Sequence, residues 1–116
     1  MIINREKNEI LYNSLISKLP EIERKGKANP YTSLNGHMFS FLDKEGKLGI
    51  RMSEDDKAAF ENKYNSPPFI QYNAVMRGYV TVPQELLENT SELLPYIKKS
   101  IVFIKSLKPK PTSKKK

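Results

Sequence analysis

The sequence predicts an α+β domain, with helices packed on an antiparallel sheet of about five strands in the order α-β-β-β-α-β-β-α. Three observations carry this expectation. Apolar residues recur at helical spacing near both ends of the chain. Between those ends, Leu48, Ile50 and Met52 alternate with Lys47, Gly49 and Arg51, the period of a half-buried strand. The connections Asn35-Gly36 and Asp43-Lys44-Glu45-Gly46 are too short for a parallel crossover, which takes about a dozen residues or more.

Taken in order, the first helix covers Asn4 to Leu19. Leu11, Leu15, Leu19 and Ile22 form its apolar stripe, and Arg5, Lys7, Glu9 and Lys18 fall largely between them. Asn4 suits the N-cap and Pro20 ends the helix. Lys27 to Leu34 suits a strand that Pro30 confines to a sheet edge or a strand start. Asn35-Gly36 then predicts a type I′ hairpin, because both residues tolerate positive φ. His37 to Leu42 and Lys47 to Met52 complete a three-stranded meander.

Ser53 opens the second helix, with Asp56 at capping-box spacing. Glu54, Asp55 and Asp56 occupy the first turn, where the helix dipole favours anions. Ala59, Phe60 and Tyr64 are its expected inward residues, and Asn65-Ser66-Pro67-Pro68 stops it. Phe69 to Tyr72 and Val75 to Val82 read as strands joined by a turn at Asn73-Ala74, with Gly78 marking a bulge or a close backbone approach. Tyr72 and Tyr79 are expected to pair across the sheet. Gln84 to Glu88 suits a single helical turn. Thr90 to Leu107 holds the last helix, with Leu94, Ile97, Ile101 and Ile104 inward. Pro95 lacks an N–H and is best tolerated in a first turn, so the regular helix is expected to start near Leu93 or to have a loosened first turn.

The 116 residues suit one domain, residues 1–107, followed by a lysine-rich tail over 108–116. The net charge of +7 points toward polyanions, but Lys108, Lys110, Lys114, Lys115 and Lys116 supply five of those charges. The first 107 residues therefore carry only +2. Such a tail serves as a solvated extension or makes weak contact with nucleic acid or an acidic partner. The absence of Cys fits a reducing compartment, and no apolar run suits a signal peptide or a bilayer span. The expected location is cytoplasmic, with no membrane association.

Catalytic equipment is sparse. Without Cys and with His37 as the single histidine, Cys–His dyads and most zinc sites are excluded. The five glycines match neither a phosphate-binding loop nor a dinucleotide fingerprint. Asp43, Glu45 and Gly46 fit a hairpin turn better than a calcium loop. Glu54, Asp55 and Asp56 are explained by the helix dipole rather than by a metal. No catalytic, metal or cofactor residues are assigned, and no cofactor is expected. Phe39 and Phe41, two apart on a strand, share one face in regular geometry. With Arg51 and Lys47 they suit either a base-stacking platform or the core beneath the helices.

The runs Asn35-Gly36-His37-Met38-Phe39-Ser40-Phe41-Leu42, Gly46-Lys47-Leu48-Gly49-Ile50-Arg51-Met52 and Asp55-Asp56-Lys57-Ala58-Ala59-Phe60 follow one another in this order. Pro67-Pro68-Phe69 and Tyr79-Val80-Thr81-Val82-Pro83-Gln84-Glu85-Leu86-Leu87 come after them. Over about residues 30–106 this succession resembles the N-terminal domain of the TfoX/Sxy family. A more distant similarity is to small YjbR-type proteins, which are linked with DNA binding. The TfoX resemblance implies an α+β domain of the secretion-chaperone-like group and a bacterial regulatory role. No catalytic residues are defined for that domain, so none carry over. Asn29-Pro30-Tyr31-Thr32-Ser33 replaces the family's Met-Phe-Gly-Gly segment, and the length leaves no room for the helical C-terminal domain of full-length regulators.

The first functional expectation is therefore a non-enzymatic regulatory protein acting through a protein partner, as a monomer or homodimer. The second is weak nucleic-acid binding through Arg51, Arg77, Lys108, Lys110, Lys114, Lys115 and Lys116. A small carboxylate enzyme is the third.

Overall fold

A computed structural model describes residues 5–26, 30–71 and 73–108. The expectations for Asn4, for Tyr72, and for Lys110, Lys114, Lys115 and Lys116 lie outside the described residues. So does the stretch 27–29. The elements follow the expected order: α1 (Arg5–Ser17), β1 (Tyr31–Leu34), β2 (His37–Leu42), β3 (Leu48–Arg51), α2 (Glu54–Tyr64), β4 (Pro68–Gln71), β5 (Ala74–Thr81), α3 (Gln84–Leu87) and α4 (Thr90–Ser106). The five strands form one antiparallel sheet in the order β1-β2-β3-β5-β4.

Local chemistry explains most boundaries. Asn35 and Gly36 have φ of 56° and 78°, as a type I′ turn requires. The Ser53 side chain accepts from the Asp56 N–H, and Asn65 ends α2 in the left-handed conformation. The strand expected from Lys27 begins only at Tyr31, although Lys25 and Tyr31 exchange both backbone hydrogen bonds. The turn after β4 ends at Asn73, whose φ is 63°, and Ala74 already belongs to β5. The helix α4 runs from Thr90, where its span was expected to begin, and not from near Leu93, with Pro95 inside it. The carbonyl that loses its donor belongs to Ser91, an exposed residue whose oxygen water can satisfy.

One face of the sheet meets the helices. Thr32, Ser40, Ile50, Val80 and Pro68 stand in register across all five strands. Four of them are buried, and Ile50 and Val80 join Tyr12, Leu15, Phe60, Leu87, Leu93, Ile97 and Ile104 in the main core. Helical phase corrects three inward assignments. Tyr12 and Ile16 are buried while the expected Leu11 packs on the core only in part, Leu93 is buried while Leu94 is so only in part, and Ala59 is exposed while Phe60 carries α2.

The opposite face is not bare. Gly49, expected to point outward, is buried because the Phe69 ring occupies the space a side chain there would need. A Cβ on Gly49 would stand 2.5 Å from that ring. Phe69 stacks on Tyr79 at 6.0 Å and meets Phe41 edge-on at 6.3 Å. The Phe69 ring of β4 thus reaches across this face to Gly49 of β3 and Phe41 of β2.

The hairpin between β2 and β3 is a clamp on β4. Asp43 is buried, and its Oδ1 accepts from the N–H groups of Glu45 and Lys47, at 2.9 and 2.8 Å. Its Oδ2 accepts from the Gln71 amide at 2.9 Å, tying β4 to the turn. On the helical side, the buried Asn8 donates to the Gly46 carbonyl at 2.7 Å and exchanges bonds with Gln84. Asp43→Ala is expected to cost about 2 kcal/mol, because two turn N–H groups lose a charged acceptor. Urea unfolding checks this, and an unchanged midpoint would refute the clamp.

Candidate nucleic-acid interface

Arg51 ends β3 directly opposite Tyr79, and its guanidinium reaches Phe103 of α4. Arg77 is exposed on β5. They are 26 positions apart in sequence, yet both line one concavity of about 470 Å³. Its walls include Met76, Tyr79, Phe103 and Lys57, and Glu54 stands at its rim.

Three structural devices aim these groups. Gly78 has φ of +81°, a conformation an L side chain rarely adopts, and its carbonyl accepts from the Met52 N–H at 2.8 Å. The strand thus kinks between Arg77 and Tyr79. Ser100 of α4 donates to the Arg51 carbonyl and sets the register of helix against strand. One turn later, Phe103 lies under the Arg51 guanidinium, 5.7 Å from the ring centroid. Tyr79 forms the floor. It is buried, and its hydroxyl donates to the Met38 carbonyl at 2.7 Å. Burial pushes its pKa up to about 12, against the opposing pull of Arg51.

The charges in the cleft are unevenly engaged. Lys57 is bound to Glu61 at 3.0 Å. Among the described residues, neither Arg51 nor Arg77 forms a salt bridge or a side-chain hydrogen bond. A partly buried guanidinium at Arg51 and an exposed one at Arg77, beside apolar and aromatic surface, make a receptor for an anion that carries a planar or apolar body.

Lys108 is not part of this cleft. It is exposed beyond the end of α4, and its carbonyl accepts from His37 Nε2–H at 2.9 Å. Asn35 Nδ2 likewise donates to the Ile104 carbonyl at 3.4 Å, so the first hairpin receives the last turn of α4. His37 thus serves as a half-buried turn residue, in keeping with its position after Asn35-Gly36.

Of the two alternatives for Phe39 and Phe41, the core holds for Phe39 alone, and no base-stacking platform forms from the pair as one surface. The β1–β2 register shifts between Thr32 and Ser33, so Phe39 has no opposite partner and joins the main core. Phe41 alone stays on the outer face, and Lys47 is drawn to Glu45 at 3.8 Å. Sequence reasoning missed Phe103 and Lys57. Phe103 lies beside the inward stripe of α4, and only the packing of α4 on β3 reveals its use.

No protein-family model matches the chain, and no curated protein matches it significantly. Among the described residues, no helix is long and apolar enough to cross a membrane.

Proposed function

We propose that this protein is a non-enzymatic binding module that takes nucleic acid into the Arg51–Arg77 cleft. The observation that carries this reading is the convergence of two guanidinium groups, free of salt bridges among the described residues, on one apolar-walled concavity. The non-enzymatic side is supported by the engagement of Asn8, Tyr12, Thr32, Ser40 and Asp43 in bonds that hold the fold. The lysine tail adds range and on-rate rather than specificity.

Electrophoretic mobility shift across a salt series tests this. Binding is expected at low salt and to weaken steeply as salt rises. Arg51→Ala with Arg77→Ala is expected to reduce the slope of log K against log salt by roughly 1.5 to 2. No shift at low salt would sink the reading. Truncation after Leu107 should weaken binding without abolishing it.

A second reading is the regulatory protein–protein role in a bacterial cytoplasm that the TfoX/Sxy resemblance implies, as a monomer or homodimer. One observation favours it. Ile70 and Val75 face each other across β4 and β5, yet are 53 % and 60 % exposed. An apolar cross-strand pair beside an edge strand suits a protein contact. If it mediates self-association, Ile70→Lys is expected to convert a dimer to a monomer in sedimentation. A wild-type monomer would limit this pair to a contact with another protein.

A further inference from the structure

Phe103 borders two concavities at once. One is the Arg51–Arg77 cleft, and the other runs along the exposed side of α4 past Val102, Lys99 and Lys98. Lys98, Lys99, Val102 and Phe103 stand at the spacing that shares one helix face. Phe103 and Lys99 are about 6 Å apart along the helix axis. Val102 is 69 % exposed in the middle of this face, so the surface is open. Beyond it the chain continues to Lys108. The acidic residues bordering the surface are Glu54 and Asp56, at the start of α2. Lys98 makes no salt bridge among the described residues, and Lys99 lies over the Tyr96 ring at 6.0 Å.

We infer that the ligand is a single strand, with one unpaired base in the cleft on the Arg51–Phe103 pair and its backbone along Lys98 and Lys99 of α4. This rests on the nucleic-acid reading of the cleft and names the form of nucleic acid it takes. A duplex keeps its bases stacked inside and cannot offer one to a concavity of about 470 Å³. A single strand offers its base faces, and both a guanidinium plane and an aromatic ring bind them without sequence preference. The lysine pair supplies phosphate contacts. Charge thus follows a path from the two arginines, past Phe103, to Lys99 and Lys98.

Fluorescence anisotropy of the full chain with a labelled oligothymidylate of about 12 nucleotides, and with a duplex of the same length, tests this. The single strand is expected to bind more tightly. Phe103→Leu is expected to weaken it about tenfold while leaving the salt slope unchanged. Lys98→Gln with Lys99→Gln, both exposed and tolerant positions, is expected to lower the slope by about 1.4. Equal binding of single strand and duplex, with Phe103→Leu and the lysine pair silent, would overturn the inference and leave cleft binding of nucleic acid standing. Binding of neither probe at low salt would remove both. Polyglutamate competing as well as oligothymidylate would replace the nucleic acid with an acidic peptide and also overturn the inference.

Discussion

Replacing Gly49 by Ala is expected to destabilise the protein by about 2 to 3 kcal/mol, the cost of forcing a buried ring aside. Gly49 is not in the left-handed region, so backbone strain is not the cause. The cause is the Phe69 ring, three of whose carbons lie within 2.7 Å of the position of the added methyl. Phe69 cannot retreat freely, because it is held between Phe41 and Tyr79. Phe69→Ala alone is expected to cost about 3 to 5 kcal/mol through the cavity it leaves. The two changes should not add: on the Phe69→Ala background, Gly49→Ala meets empty space and should be nearly neutral or partly restoring. Urea midpoints for the four-member cycle check this. Full additivity would mean that the ring does not cover Gly49 in solution.

Alkaline pH is expected to unfold the protein between about pH 10 and 12, through Tyr12 and Tyr79. Tyr12 is buried beneath the sheet, with its hydroxyl bonded to Ser40 Oγ at 2.6 Å and Ser40 bonded in turn to Thr32. Burial pushes the pKa of Tyr12 up to about 12, and those hydroxyls offset it only in part. Tyr79 rises to about 12 for the same reason. Below pH 10 both residues are protonated in the folded and unfolded chain, and pH has no leverage through them. Between 10 and 12 the unfolded chain releases these protons while the folded one retains them. The unfolded state then binds fewer protons, so stability falls as pH rises, by roughly 2 to 3 kcal/mol per tyrosine. About 5 kcal/mol for the pair is comparable with the whole stability of many small domains. Circular dichroism and tyrosinate absorbance should change together. Tyr64 also titrates high, because its one hydroxyl proton lies between the Tyr96 oxygen and the Glu92 carboxylate, but it is not part of the buried core. Tyr12→Phe is expected to flatten the pH dependence above 10. An unchanged profile would show that Tyr12 is not buried as a neutral phenol.

Much of the backbone was legible in advance because its signals are local. Asn35-Gly36, the Ser53 cap, the left-handed stop at Asn65 and the helix of alternating charge and apolar stripe after Thr90 each act within a few residues. The candidate site was legible only in part. Arg51 and Arg77 could be named as basic residues of the sheet, but their meeting depends on the neighbouring pairing of β3 and β5 and on the kink at Gly78. Phe103 could not be chosen over Leu107 or Val102 by periodicity, since all three flank the same stripe.

Composition and spacing by themselves determined the class of fold, the order of its elements, the turn types and the separation of a basic tail from a nearly neutral body. These are set by near-neighbour sterics and by hydrophobic period. Tertiary structure decided which face each residue serves. A single bulge sent Phe39 into the core and left Phe41 outside, and the ring of Phe69 from β4 buried Gly49. The physical reason is that a strand alternates strictly only while its register holds. One extra residue, or one long-range ring contact, changes the face without leaving a mark in the local sequence.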